Sequence, residues 1–132
     1  MSTKQLRVGI IGADTQASWA GASHIPAIQA NPSLVLAAVA TRHEQSAKAA
    51  AEAFGAERWY ADPYALIQDD SIDIVTIAVK VPAHLDLVLA ALKANKAVYC
   101  EAPLGSTLAE TEEMAAAAGA LHTAIGLQGR MN

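Results

Sequence analysis

The stretch L-R-V-G-I-I-G-A-D, residues 6–14, decides how the rest of the chain is interpreted. Its run from Leu6 to Ile11 is almost continuously apolar, which is typical of a parallel β-strand covered on both faces. Gly12 follows directly, and a glycine there permits a tight turn into the next helix. Backbone amides in such a turn can hold a pyrophosphate, so Gly12, Ala13 and Asp14 are candidate cofactor-binding residues.

The spacing of the glycines leaves other interpretations open. The usual G-x-G-x-x-G pattern is absent, because Asp14 stands near the place where a second glycine would let a phosphate approach, and the next glycine is Gly21. A plain strand-to-helix turn is one alternative. Another is a stable α/β domain that has lost cofactor binding, since an unpaired carboxylate at Asp14 repels phosphate.

Short β-branched runs alternate with longer alanine-rich runs along the chain. This alternation predicts a Rossmann-type α/β fold: a doubly wound parallel sheet of about six strands with helices on both faces. T-x-x-E capping boxes at Thr41 and Thr107 predict two of the helix starts. The predicted strands are 6–11, 34–40, 58–60, 72–79, 97–100 and 123–127, and the predicted helices are 19–30, 41–54, 62–68, 84–94 and 107–118.

In sheets of this kind, ligands bind at the carboxyl ends of the strands, where the strand order reverses. After the second predicted strand, Thr41 and Arg42 replace the acidic residue that usually binds the adenosine ribose of NAD. Arg42 can form a bidentate contact with the 2′-phosphate of NADP. The sequence therefore favours NADP as the cofactor, with NAD as second choice. The alternative interpretation of these two residues, a capping threonine beside a solvated arginine without a ligand, stays open.

Candidate ligand-binding residues also follow the fourth and fifth predicted strands. Near Val79, Lys80 could steer a phosphate or polarise a carbonyl, and His84 could donate to a ribose or cap the next helix. A solvated lysine and a histidine at a helix start are common alternatives. Glu101 comes directly after the fifth strand, at the rim of the expected cleft, either as a ligand or as a structural cap.

Composition excludes several classes of function. The net charge is −4 without a basic run, which argues against a nucleic-acid partner. The four histidines lack metal-ligand spacing, so no metal is expected. No stretch approaches the roughly 18 apolar residues needed to span a bilayer. Cys100 is the only cysteine and cannot form an internal disulfide, so we expect a cytoplasmic protein without a membrane partner.

Five segments, in order, resemble the N-terminal domain of the glucose–fructose oxidoreductase / inositol dehydrogenase / rhizopine-catabolism (Gfo/Idh/MocA) family. The resemblance implies one dinucleotide-binding domain over residues 1–132, without the family's C-terminal substrate domain. It also implies that a complete protein transfers hydride between a nicotinamide and a sugar- or polyol-like hydroxyl. The segments are R-V-G-I-I-G at 7–12, H-I-P-A-I at 24–28, 72–84, 92–104 and I-G-L-Q-G-R at 125–130.

Two departures from the family pattern suggest an alternative function. The long first loop with Trp19, a further candidate cofactor-binding residue, resembles a subgroup that includes galactose-pathway co-repressors, which bind a dinucleotide as sensors. The family's Glu-Lys-Pro motif is Glu101-Ala102-Pro103 here, and an alanine cannot orient or protonate the reacting group as that lysine does. We therefore expect this chain alone to be inactive, with a non-catalytic sensor or binding module as the alternative.

The surface that the family's second domain normally covers would be left apolar in this chain. Such a patch favours self-association. The resemblance therefore also predicts a homodimer.

Overall fold

The computed structural model describes residues 5–12, 25–101, 105–119 and 123–126, where strands and helices alternate. The strands are β1 (Leu6–Ile11), β2 (Leu34–Ala40), β3 (Arg58–Tyr60), β4 (Ile74–Ile77), β5 (Ala97–Glu101) and β6 (Thr123–Gly126). The helices are α1 (Ile25–Ala30), α2 (Glu44–Phe54), α3 (Pro63–Ile67), α4 (His84–Lys93) and α5 (Leu108–Ala118), and a 3-10 turn, Val81–Ala83, precedes α4.

The strands form one sheet in the order β3-β2-β1-β4-β5-β6, and every neighbouring pair is parallel. The order reverses between β1 and β4, which confirms the predicted doubly wound fold. Ile11 lies opposite both Ala40 and Ile77, and Ile77 lies opposite Cys100. The last residues of β2, β1, β4 and β5 therefore align along one side of the sheet, called here the carboxyl edge.

Both faces of the sheet are buried at its central strands. In β1, Ile10 packs in a cluster with α1 and α2, whereas Ile11 packs in the cluster that includes α3 and α4. A strand covered on both sides gains from an apolar residue at every position, which explains the continuous apolar run that the sequence shows. In α2 the buried residues are all alanines, which lets the helix approach the sheet closely.

The ends of several helices follow local sequence signals. Thr107 caps α5, because its Oγ1 accepts a hydrogen bond from the N–H of Glu110 at 3.2 Å. Asp62 caps α3 in the same way, accepting from Tyr64 N–H at 2.9 Å. Gly55 ends α2 with a φ of 76°, in the left-handed region. The helix start predicted at Thr107 is therefore confirmed, with the threonine hydroxyl as the cap.

The capping box predicted at Thr41 is wrong. The residue before α2 is His43, and the helix begins at Glu44. The N–H of Thr41 donates instead to the carbonyl of Tyr60 at 3.2 Å, and its hydroxyl donates to the carbonyl of His43 at 3.0 Å. The hydrogen bond to the end of β3 holds residue 41 at the sheet, so the helix starts later.

Between α3 and β4, Asp69 organises a polar cluster with Arg58, Tyr60 and Ser71, called here the Asp69 cluster. The side chain of Asp69 is only 6% exposed, and its carboxylate accepts from Arg58 Nη1 and Tyr60 Oη, each at 2.7 Å. It also accepts from Ser71 N–H at 2.9 Å and Ser71 Oγ at 2.7 Å. Burial alone raises the pKa of Asp69, but these hydrogen bonds outweigh it and hold the pKa well below its ordinary value.

The connection between α3 and β4 is pinned to strands on both sides of β4. Lys96 is buried just before β5, and its ammonium donates to the carbonyls of Asp69 at 2.8 Å and Ile72 at 2.7 Å. At the start of β1, the N–H of Arg7 donates to Asp73 Oδ2 at 2.9 Å. These bonds determine where β4 enters the sheet.

Candidate functional site

The turn after β1 lies at the carboxyl edge between the ends of β2 and β4. The N–H of Gly12 donates to the carbonyl of Ala40 at 2.8 Å, and its φ is 94°. A Cβ at this position would lie 2.6 Å from the carbonyl oxygen of Ala78 and 2.9 Å from Val79 Cγ1. Only glycine fits this backbone and this space, so the turn predicted at Gly12 is held tightly from both sides.

The segment after β2 places a cation beside this turn. Thr41 is buried, and its hydroxyl contacts Ser46 Oγ in α2. Arg42 follows as an exposed residue, two positions beyond the Ala40 carbonyl that accepts from Gly12. The guanidinium of Arg42 is therefore available to an anionic ligand at the carboxyl edge, while Thr41 anchors the chain beneath it.

The segment after β4 supplies the other wall of the turn. Val79 is partly buried, and Lys80 is exposed. His84 is only 1% exposed, and its Nε2 lies 2.8 Å from the carbonyl oxygen of Val79. Because a carbonyl can only accept, this Nε2 carries the hydrogen. The residue that caps α4 is Ala83, so the alternative in which His84 caps the helix is wrong.

The remaining predicted site residues differ in what the structure shows of them. Glu101 is the last residue of β5, opposite Gly126, and so stands at the carboxyl edge. Of the predicted cofactor-binding residues, Ala13, Asp14 and Trp19 lie outside the described ranges. Ala102 of the Glu-Ala-Pro motif lies outside them as well. Across the described ranges, no group of three or more His, Cys, Asp or Glu residues could hold a metal ion.

Two main-chain carbonyls at this site were not found by sequence reasoning. The carbonyls of Ala40 and Ala78 flank Gly12 on either side, yet an alanine at a strand end carries no chemical signal. Only the strand order could have identified them. The described part of the carboxyl edge thus combines a tight glycine turn with exposed cations on the flanking strand ends, Arg42 and Lys80, which suits a ligand that carries phosphate groups.

Comparison with known proteins identifies the fold and its relatives. The sequence profile of the family GFO_IDH_MocA, described as "Oxidoreductase family, NAD-binding Rossmann fold", matches residues 6–127. The myo-inositol 2-dehydrogenase of Thermotoga maritima is 32% identical over 109 residues, which are 83% of this chain and 31% of that protein. The chain therefore spans about a third of the length of this relative.

Solved structures give the same result. A probable dehydrogenase from Thermotoga maritima superposes with a TM-score of 0.85 at 29% identity, over 96% of this chain and 37% of that one. A lysine-to-alanine mutant of KijD10, a 3-ketoreductase from Actinomadura kijaniata in complex with TDP-benzene and NADP, superposes with a TM-score of 0.77 at 34% identity. That match covers 87% of this chain and 35% of the reductase.

Proposed function

Because the chain belongs to the Gfo/Idh/MocA oxidoreductase family, as its NAD-binding Rossmann domain, we propose that it binds a nicotinamide dinucleotide across its carboxyl edge. The observation that carries the proposal is the tight turn at Gly12, placed where the strand order reverses. The pyrophosphate would lie against this turn. The adenosine half would extend toward Arg42, and the nicotinamide half toward Val79 and Glu101.

The bound dinucleotide supplies hydride chemistry, while the residues of this chain bind and orient it. In a protein that also has a substrate-binding domain, the nicotinamide would face a sugar- or polyol-like hydroxyl, as the similarity to myo-inositol 2-dehydrogenase suggests. Hydride transfer needs the substrate held against the nicotinamide ring. We therefore expect residues 1–132 alone to bind the dinucleotide without turnover.

We propose NADP as the preferred cofactor and NAD as the second choice. Arg42 is exposed beyond β2, and no acidic side chain precedes it at Thr41, whose hydroxyl is engaged by Ser46. A guanidinium at this point can bind the 2′-phosphate with two parallel hydrogen bonds. The NADP complex of the related 3-ketoreductase supports this assignment.

The test is titration calorimetry with NADPH and NADH on the wild type and on Arg42→Ala. Loss of charge-assisted bonds to the 2′-phosphate should weaken NADPH binding by about 10- to 100-fold, while NADH binding changes by less than about twofold. Lys93→Ala removes one exposed positive charge at the far end of α4 and serves as the control. Equal losses for both dinucleotides would contradict the assignment, and a wild type that binds neither would contradict dinucleotide binding itself.

The second candidate function is a dinucleotide-responsive binding module. Ala102, in the position of the family's motif lysine, favours it. In the related reductase, a lysine-to-alanine mutant still holds NADP in its structure, so a dinucleotide can bind this fold without one lysine. The two candidates differ on one measurement: whether a protein that joins this chain to a substrate-binding domain oxidises sugars or polyols.

We also propose that the chain is cytoplasmic and forms a homodimer through the surface that the family's second domain would cover, and that the exposed face of α5 belongs to this surface. Only Met114 of this helix is buried, and Leu108 at its start is 74% exposed. None of the helices in the described ranges is long and apolar enough to cross a membrane. The mass measured by light scattering should rise toward that of a dimer with concentration, and Leu108→Glu should keep it monomeric. A wild-type monomer at every concentration would rule out the dimer.

A further inference from the structure

We propose that His84 is a positioning residue for the dinucleotide, acting through the carbonyl of Val79. Its hydrogen bond fixes the loop 78–83, which forms the wall of the Gly12 turn on the β4 side. This inference rests on the proposed dinucleotide binding and assigns His84 a role other than direct contact with the cofactor.

The imidazole of His84 is held in place by the core. His84 is the first residue of α4, and it is 1% exposed. On the same helix, Leu87, Val88 and Ala91 are buried in the cluster beneath the sheet. The ring is therefore fixed relative to β4 and β5, and its Nε2–H presents a donor to the carbonyl of Val79 at 2.8 Å.

Among the described residues, three hydrogen bonds help to hold the loop, one within it and two to residues outside it. The N–H of Ala78 donates to the carbonyl of Ile11 at 2.9 Å, and the N–H of Ala83 donates to the carbonyl of Lys80 at 3.0 Å. The bond from His84 to Val79 lies between these two. Of the three, it alone depends on the identity of a side chain, so it is the one that substitution can remove.

The position of Val79 matters because of what it touches. Val79 Cγ1 lies 2.9 Å from the point where a Cβ of Gly12 would be, so the valine packs directly on the turn. Lys80 is exposed on the same loop. Without a donor, the Val79 carbonyl is left unsatisfied in a partly buried place, and the loop gains by turning it toward water. Such a movement would take Val79 away from Gly12, on the side of the cleft where the nicotinamide half is proposed to bind.

The experiment compares two ligands on the full chain: NADPH, and adenosine 2′,5′-bisphosphate, which is the adenosine-side fragment alone. His84→Leu fills much of the space but lacks a donor, and we expect NADPH to bind it about tenfold more weakly, with the fragment changed by less than about twofold. His84→Gln retains an amide donor and should recover NADPH binding to within about threefold of the wild type. Loss of packing alone would not give this recovery.

The control is Ile72→Ala, which removes a buried side chain at the amino end of β4, away from the loop. It should lower the melting temperature without changing the ratio of the two affinities. If His84→Leu weakens both ligands equally, or leaves both unchanged, the inference is overturned. Should the leucine variant fail to fold, His84→Asn replaces it, because its amide is too short to reach Val79. A wild type that binds neither ligand overturns the proposed function. If the wild type binds both ligands and His84→Leu does not weaken NADPH more than the fragment, only the role of His84 is overturned.

Discussion

Gly12→Ala is expected to lower the free energy of unfolding by about 3 kcal/mol and to weaken dinucleotide binding at least about tenfold. Two effects combine at this position. The φ of 94° is strained for any residue with a Cβ, and the added methyl would lie 2.6 Å from the carbonyl of Ala78. To relieve that contact, the ends of β1 and β4 must separate, and their separation opens the turn proposed to hold the pyrophosphate. Chemical denaturation and calorimetric titration measure the two losses.

Gly55→Ala separates backbone strain from crowding. Gly55 also has a positive φ, 76°, but nothing lies within 4 Å of the point where its Cβ would be. The expected loss of stability is therefore only the cost of the left-handed backbone, about 1 kcal/mol, with unchanged ligand binding. Equal losses for the two variants would show that the contact with Ala78 contributes nothing.

Asp69→Asn is expected to lower the free energy of unfolding by about 2 to 3 kcal/mol at neutral pH. The carboxylate accepts from Arg58, Tyr60 and twice from Ser71 while only 6% of its side chain is exposed. An amide presents one oxygen where the carboxylate presents two, and it carries no charge. Asp70→Asn is the matched control, since Asp70 is the next residue and is exposed. A similar loss in that variant would argue against the Asp69 cluster.

The pH dependence of this difference follows from the direction of the pKa shift. The pKa of Asp69 in the folded protein is below its ordinary value of 3.8. The stabilisation is therefore complete above that value and is lost as the pH falls below it. The gap in melting temperature between the wild type and Asp69→Asn should be constant above about pH 5 and should narrow at lower pH. A gap that widens in acid would contradict the shift.

Most of the fold could be predicted because most strands and helices have a recognisable local sequence pattern. The bounds of β1, β2 and β3 match the predicted ones, since apolar runs end at turn residues. The strand predicted at 72–79 is shorter, Ile74–Ile77, because the residues beyond Asp73 and Ala78, which still donate to β1, have other partners. Asp73 accepts from Arg7, and Val79 turns back toward His84. Apolar character alone does not distinguish a paired residue from a buried unpaired one.

The site was harder to predict than the fold, because identical local patterns have different long-range partners. Thr41 and Thr107 open the same T-x-x-E pattern, yet only Thr107 caps a helix, since Thr41 is bonded to Tyr60 in the neighbouring strand. The sequence offered His84 as a ribose donor or a helix cap, and no local signal indicated the bond between its ring and the Val79 carbonyl. The Asp69 cluster draws on residues up to 13 positions apart, as from Arg58 to Ser71, and no local pattern in the sequence links them.

The reversal of strand order also sets a sequence of events during synthesis. β1 can pair with β2, and β2 with β3, once residue 60 has left the ribosome, but the other side of β1 waits for β4, which begins at residue 74. A half-sheet of these three strands would have an open edge at β1. Non-local parallel pairing of this kind is slow and leaves the edge exposed to other chains. The arrival of β4 is therefore the step that joins the two halves of the sheet and covers the open edge of β1.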